Sequence, residues 1–212
     1  MLTMNTTEGQ DIKKIGIMGG TFDPIHIGHL IIGEAVRDEY DLDEVIYMPV
    51  GDPPHKPSDK IAHSGHRYEM VAMAIEDNRY FKVSDMEIRR RGKTYTVDTL
   101  NELHTIYGEK VKFYFIIGGD TLFEVKGWRK AADIFNRCAF IVYNRWGCTD
   151  DKLEDERRYL EETYDANILF AHGPLIDISS TYIRRAIRAG RTVKYLVPDH
   201  VLYYIGKNGI YK

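Results

Sequence analysis

Cysteine is scarce and unpatterned. The chain has 212 residues and two cysteines, Cys138 and Cys148, which form no C-x-x-C pair. A disulfide framework, a zinc ribbon and a thioredoxin-like motif are thereby excluded. No apolar run approaches the roughly 18 residues of a membrane span. The first eleven residues, Met1 to Asp11, have neither a basic start nor an apolar stretch, so they are no secretory signal. They read as a disordered leader or a remnant of expression, ahead of one domain over 12–212 with a small C-terminal helical part. A basic excess is also missing: 29 Lys and Arg stand against 32 Asp and Glu, a formal charge of −3. That balance speaks against a nucleic-acid-binding protein. Soluble and cytoplasmic is the expectation, with no membrane partner, and with self-association into a homo-oligomer left open.

Two familiar nucleotide motifs are lacking as well. Gly16, Gly19 and Gly20 do not have the G-x-G-x-x-G spacing, and the P-loop that Gly92-Lys93-Thr94 suggests has Glu87 where its first glycine belongs. His26-x-x-His29 and His63-x-x-His66 have no recognisable third and fourth ligands, so no protein-built metal site is expected.

What is present is alternation. Hydrophobic residues make up 43% of the chain, enough for a real core. Strand candidates fall at Lys14–Met18, Val45–Met48, Phe81–Ser84, Lys112–Ile117, Ala139–Tyr143 and Ile168–Ala171. Helical spacing marks Leu30–Tyr40, His66–Asp77 and Val97–Tyr107, and Leu153–Tyr164 reads as a charged, solvated surface helix. This order predicts an α/β fold, a doubly wound parallel sheet with helices on both faces. Ligands of such sheets bind beyond the carboxyl ends of the strands. The longest irregular stretch, Pro49–Gly65, holds four of the seven prolines, and a loop of that length in a compact domain suggests function.

After the first strand comes Gly19-Gly20-Thr21-Phe22-Asp23-Pro24-Ile25-His26-Ile27-Gly28-His29. The glycines let a phosphate approach the backbone, and the following helix start offers unpaired N–H donors to an anion. His26 and His29, three apart, share a helix face and can donate to phosphate oxygens. Gly28 between them is expected to keep bulk out of the pocket. Near the C-terminus, Ile178-Ser179-Ser180-Thr181-Tyr182-Ile183-Arg184 offers a second cradle. Ser179 or Ser180 suits an N-cap, and Gly190 suits a C-terminal stop. Arg184 in the first turn opposes the helix dipole, which points to a compensating anion.

The pair of segments resembles the HxGH and ISSTxxR signatures of the nucleotidyltransferase superfamily. Pro53-Pro54-His55-Lys56, the stretch Ser84-Asp85-Met86-Glu87 to Leu100 with Thr94-Tyr95-Thr96 inside it, Ile117-Gly118-Gly119-Asp120, Trp128 and Tyr195-Leu196-Val197-Pro198 are similar to bacterial nicotinate-mononucleotide adenylyltransferases. The likeness runs from about Ile15 to Ile205. It implies a Rossmann-like nucleotidyltransferase fold, ATP and nicotinate mononucleotide as substrates, and magnesium carried by the ATP phosphates. It implies direct attack of the mononucleotide phosphate on the α-phosphorus of ATP, without a covalent enzyme intermediate.

On that resemblance the catalytic residues are His26, His29 and Arg184. ATP binding falls to Gly19, Gly20, Thr21, Phe22, His26, His29, Asp120, Ser179, Ser180, Thr181 and Arg184. Mononucleotide binding falls to His55, Lys56, Thr94, Tyr95, Thr96 and Trp128, with Trp128 as a stacking platform for the pyridine ring. The alternatives are a phosphopantetheine adenylyltransferase, which lacks the Pro-Pro-His-Lys and Thr-Tyr-Thr segments, a cytidylyltransferase, and a nucleotide-binding module without turnover. A nucleic-acid role rests only on Arg89-Arg90-Arg91 and Arg184-Arg185, short clusters in a net-acidic chain.

Overall fold

A computed structural model of the chain describes residues 12–51, 61–90, 92–143, 150–174 and 176–212. The expected leader, the Pro-rich segment with His55 and Lys56, and Cys148 lie outside the described residues. The elements run β1 (Lys13–Gly20), α1 (Ile27–Glu39), β2 (Glu44–Pro49), α2 (Ser64–Ile75), β3 (Phe81–Val83), α3 (Met86–Arg89), α4 (Thr96–Tyr107), β4 (Val111–Gly118). They continue with α5 (Gly119–Val125), α6 (Ala131–Phe135), β5 (Ala139–Tyr143), α7 (Asp150–Tyr164), β6 (Ile168–Ala171), α8 (Ser180–Arg188) and α9 (Asp199–Lys207).

All strand pairs are parallel, in the order β3-β2-β1-β4-β5-β6. All six expected strands are present. β1 is central, with Ile17 opposite Ile46 of β2 and Phe115 of β4. Successive side chains of a strand point to opposite faces, so both faces must be covered by apolar partners. One core layer takes Tyr47, Ile116 and Ile141 and is closed by α1, α2, α8 and α9 through Val36, Met70, Ile183 and Val201. The other takes Ile17, Phe115 and Phe140 and is closed by α4 to α7 through Leu100, Leu122, Phe135 and Leu160.

α7 departs from the expectation of a solvated helix. Leu153 and Leu160, seven residues apart on one stripe, are fully buried, while Arg157 pairs with Glu154 and Glu161 on the outside. Burying two leucines is worth about 1.5–3 kcal/mol each, which outweighs the surface ion pairs at about 0.3–0.5 kcal/mol. α3, α5 and α6 have four, seven and five residues, too few turns for the period to show in the sequence. No described helix is long and apolar enough to cross a membrane.

Candidate active site

The strand order fixes where a ligand can sit. From β1 the sheet grows one way through β2 and β3, then the chain returns to place β4 on the other side of β1. Helices leaving β1 and β4 therefore diverge and open a crevice at the carboxyl ends of these two strands. A cavity of about 1000 Å³ occupies it. Its floor is Gly19 and Gly20 from the end of β1 and Ile117 and Gly118 from the end of β4. That volume is at the upper end for a small-molecule site.

The first signature segment makes one wall. Thr21 and His29 line the cavity, and His26 and Phe22 lie buried behind them. Phe22, at φ 47°, turns the chain out of β1 and meets the His29 ring edge-on at 5.1 Å. His26 is the N-cap of α1, and its ring stacks on that of His29 at 3.7 Å between centroids. The His26 backbone N–H donates to Nδ1 of His29 at 3.2 Å. With Nδ1 accepting, the proton of the neutral His29 ring sits on Nε2. Tyr47 supports the same residue by donating to the His29 carbonyl at 3.2 Å. That hydroxyl occupies the space a Cβ on Gly33 would need. Gly28 serves differently from the expectation: its missing side chain leaves room for the His26 ring and Ile176, not for the cavity.

The second signature segment does not line the cavity. It braces the first. Ser179 caps α8 by accepting from the Tyr182 N–H at 3.2 Å. Ser180 Oγ donates to the Pro24 carbonyl at 2.9 Å. Arg184 donates to the Asp23 carbonyl at 2.8 Å and to Thr181 Oγ1 at 3.3 Å, with the Asp23 carboxylate 3.6 Å away. The anion that the position of Arg184 calls for is thus in part the protein's own.

Asp23 is the hub of this arrangement and is 4% exposed. Its Oδ1 accepts from the Tyr211 hydroxyl at 2.7 Å and from the Ala62 N–H at 3.1 Å. Burial and the Asp23 carboxylate both push the Tyr211 hydroxyl pKa up, so it stays a donor. Arg67 is also a buried charge, at 1% exposed. It donates to the carbonyls of Ala62, Thr21, Val50 and Gly51 at 2.7–3.0 Å. Burial lowers its pKa, and the Asp23 charge works in the other direction. Four carbonyl acceptors offset a desolvation cost of several kcal/mol.

The opposite wall carries Asp120 at the start of α5, Thr94, Tyr95 and Thr96 leading into α4, and Trp128 and Arg129 before α6. Trp128 is half-buried, edge-on to Phe115 at 6.0 Å. Asp98 sits in the first turn of α4, where the dipole favours an acid. Thr94 Oγ1 is buried with no hydrogen-bond partner among the described residues. Glu87 also lines the cavity. It accepts from Thr99 Oγ1 at 2.7 Å, and Arg90 donates to that same hydroxyl at 2.9 Å. Burial pushes the Glu87 carboxyl up, against the pull of Thr99 and Arg90.

Of the residues expected from the sequence, Gly19, Gly20, Thr21, His29, Asp120, Thr94, Tyr95, Thr96 and Trp128 line one cavity. His26 and Phe22 support it, and Ser180, Thr181 and Arg184 are tied to it through the Asp23–Pro24 backbone. Asp23, Arg67, Glu87, Arg129 and Tyr211 were assigned no role from the sequence. Asp23 stands inside the first signature, the one local signal that could have found it. Among the described residues no three His, Cys, Asp or Glu side chains are grouped to hold a metal ion.

The chain matches the family model described as cytidylyltransferase-like over residues 17–186. A probable nicotinate-nucleotide adenylyltransferase of Thermoanaerobacter sp. (strain X514) is 44% identical over 199 residues, covering 94% of each chain. A second, from Desulfitobacterium hafniense (strain Y51), is 42% identical over 200 residues, 94% of this chain and 96% of the relative. The fold is shared with a Plasmodium falciparum nicotinic acid mononucleotide adenylyltransferase solved in complex with NaAD. The TM-score is 0.78 at 20% identity, over 94% of this chain and 97% of that one.

Proposed function

The chain belongs to the nicotinate-nucleotide adenylyltransferase family, and from that premise we propose how its crevice performs adenylyl transfer in NAD biosynthesis. The substrates are ATP and nicotinate mononucleotide, and the products are nicotinate adenine dinucleotide and pyrophosphate. The observation that carries this reading is the single cavity between β1 and β4, which joins His29 on one wall to Thr94–Thr96 and Trp128 on the other.

An oxygen of the mononucleotide 5′-phosphate attacks the α-phosphorus of ATP. The bond from that phosphorus to the bridging oxygen of the β-phosphate breaks, and pyrophosphate leaves with the electron pair. The nucleophile is already ionised at neutral pH, so no general base is required. The work of the protein is positioning and charge stabilisation. His29, with its proton on Nε2, donates to the α-phosphate as negative charge shifts onto the leaving group, and His26 holds its ring in place. Gly19, Gly20 and Thr21 let the phosphates lie against the end of β1. Asp120 accepts from a ribose hydroxyl of ATP. Thr181 and Arg184, at the exposed start of α8, meet the β- and γ-phosphates, while Ser180 keeps the turn in register. Trp128 stacks on the pyridine ring. His55 and Lys56 are proposed for the phosphate side on the resemblance alone.

Magnesium would enter with the nucleotide. Its ligands would be phosphate oxygens and water. It supplies charge neutralisation on the transferring phosphates.

Pyrophosphate release with ATP and magnesium tests this, offering nicotinate mononucleotide and phosphopantetheine in parallel. Turnover with nicotinate mononucleotide supports the assignment. Turnover with phosphopantetheine alone would keep the ATP side of the crevice and discard the pyridine side. ATP binding without pyrophosphate release from either acceptor would favour a module without turnover.

A further inference from the structure

We propose that Arg185, Arg188 and Arg191 form an electrostatic lane that draws the polyphosphate of ATP toward Arg184. The inference rests on the adenylyl-transfer reading above, in which Arg184 meets the β- and γ-phosphates, and adds how the nucleotide reaches that point.

The rest of the molecule opposes the approach. The chain carries a formal charge of −3. Glu87, Asp120 and Glu124 line the cavity, against one Lys or Arg among the described residues, Arg129, which lies over the Tyr95 ring. ATP stays anionic with magnesium bound, so this field repels it. α8 reverses the sign locally. Arg188 is four residues from Arg184 and three from Arg185, so it neighbours both on the helix surface. It stands about 6 Å beyond Arg184 along the helix axis. Arg191 follows where Gly190, at φ 65°, closes the helix and the Arg191 N–H donates to the Ala186 carbonyl at 2.8 Å.

Two features set these arginines apart from ordinary surface cations. All three are exposed, and among the described residues none forms an ion pair or a side-chain hydrogen bond. Lys194, close behind them, is by contrast paired with Asp199. Their charge therefore projects into solvent. The inner end of the row is also fixed: Arg184 donates to the Asp23 carbonyl and Ser180 to the Pro24 carbonyl, so the row leads to the turn that presents His29. The dipole favours cations in the last turn of α8, at Arg185 and Arg188, but that local preference does not account for Arg191 beyond the helix. Exposed charges add little to equilibrium binding, yet they raise the association of a charged ligand by about 10–10³, an effect that salt removes. The row thus serves ATP capture rather than the chemical step.

The test is steady-state kinetics of pyrophosphate release, with ATP and nicotinate mononucleotide varied in turn. Ionic strength runs from about 0.01 to about 1 M, over which the Debye length falls from about 30 to about 3 Å. The proteins are wild type, R185Q/R188Q/R191Q, R185K/R188K/R191K and K110Q/K112Q/R137Q, with thermal melts alongside. The last variant removes the same number of positive charges from exposed positions at the amino ends of β4 and β5, opposite the cavity. At low salt R185Q/R188Q/R191Q should lose about five- to twentyfold in kcat/KM for ATP. The loss should fall in KM, with kcat within about twofold of wild type, and should vanish toward high salt. Its KM for the mononucleotide should not change, and the lysine and amino-end variants should follow wild type. A salt dependence parallel to wild type would overturn the proposal. So would an equal loss in K110Q/K112Q/R137Q, which would assign the effect to net charge, or a loss carried by kcat or shared by the lysine variant, which would assign it to structure. An equal rise in KM for the mononucleotide would overturn it in favour of a general field. These outcomes leave adenylyl transfer intact, whereas a wild-type protein without turnover would overturn the transfer reading and this inference together.

Discussion

The Tyr211 hydroxyl donates to Oδ1 of Asp23 at 2.7 Å, joining two residues 188 positions apart. Asp23 lies in the turn between β1 and α1, and its own backbone carbonyl is held by Arg184. One buried carboxylate therefore connects the first signature, the second signature and the last turn of the chain. Tyr211→Phe removes the donor and leaves an ionised acceptor short of a bond. Hydrogen bonds to charged groups contribute about 1.5–3 kcal/mol. A thermal melt should show a loss of that size, and kcat should fall because the turn that presents His29 loosens. An unchanged melt would remove Tyr211 from the account.

Arg67 tests the framework on the other side of the same turn. Its guanidinium holds the Thr21 carbonyl in the cavity wall together with Val50, Gly51 and Ala62. Arg67→Ala leaves four carbonyls without their donor around a void, and the expected destabilisation is about 3–5 kcal/mol. Denaturant melts measure it directly. Arg67→Lys, a point charge in place of a fork, should recover only part of the loss.

His29 tests the chemistry. If its Nε2–H stabilises the transferring phosphate, His29→Ala should lower kcat by about 10²–10³, with a melting temperature close to wild type because the ring lines the cavity rather than filling the core. A kcat within a few-fold of wild type would reassign the donor.

Glu87 gives a pH signature. Burial raises its folded pKa above the ordinary carboxylate value. Between those two values the folded state holds more protons than the unfolded state, so this group's contribution to stability falls as pH rises. Glu87→Gln keeps an acceptor for Thr99 and removes the titration. The melting temperature of E87Q relative to wild type should therefore rise as pH goes from about 4 to 7. A difference that is flat with pH would contradict the burial of that carboxylate.

The sheet was legible because parallel strands covered on both faces must be apolar nearly throughout, as in Phe140 to Tyr143. The two signature turns were legible because glycines, hydroxyls and histidines crowd a strand end or a helix start. The bracing was not. Asp23, Arg67 and Tyr211 act through partners that include ones 39, 46 and 188 positions away, and no local pattern distinguishes a buried arginine from a surface one. Arg129 was invisible for the same reason, since only the fold brings it over Tyr95. The contacts of Ser180 and Arg184 with the Pro24 and Asp23 carbonyls were hidden as well, because a sequence shows that a cation stands at a helix start but not which groups of the protein it faces.

The central claim is that the crevice aligns two substrates for one direct displacement, with no group of the protein becoming adenylylated. Stereochemistry at the α-phosphorus tests it most directly, using ATP made chiral there by one sulfur in place of oxygen, with nicotinate mononucleotide as acceptor. The account predicts inversion of configuration in the dinucleotide product. Retention would mean two successive displacements through an enzyme-bound adenylyl group, and would contradict it.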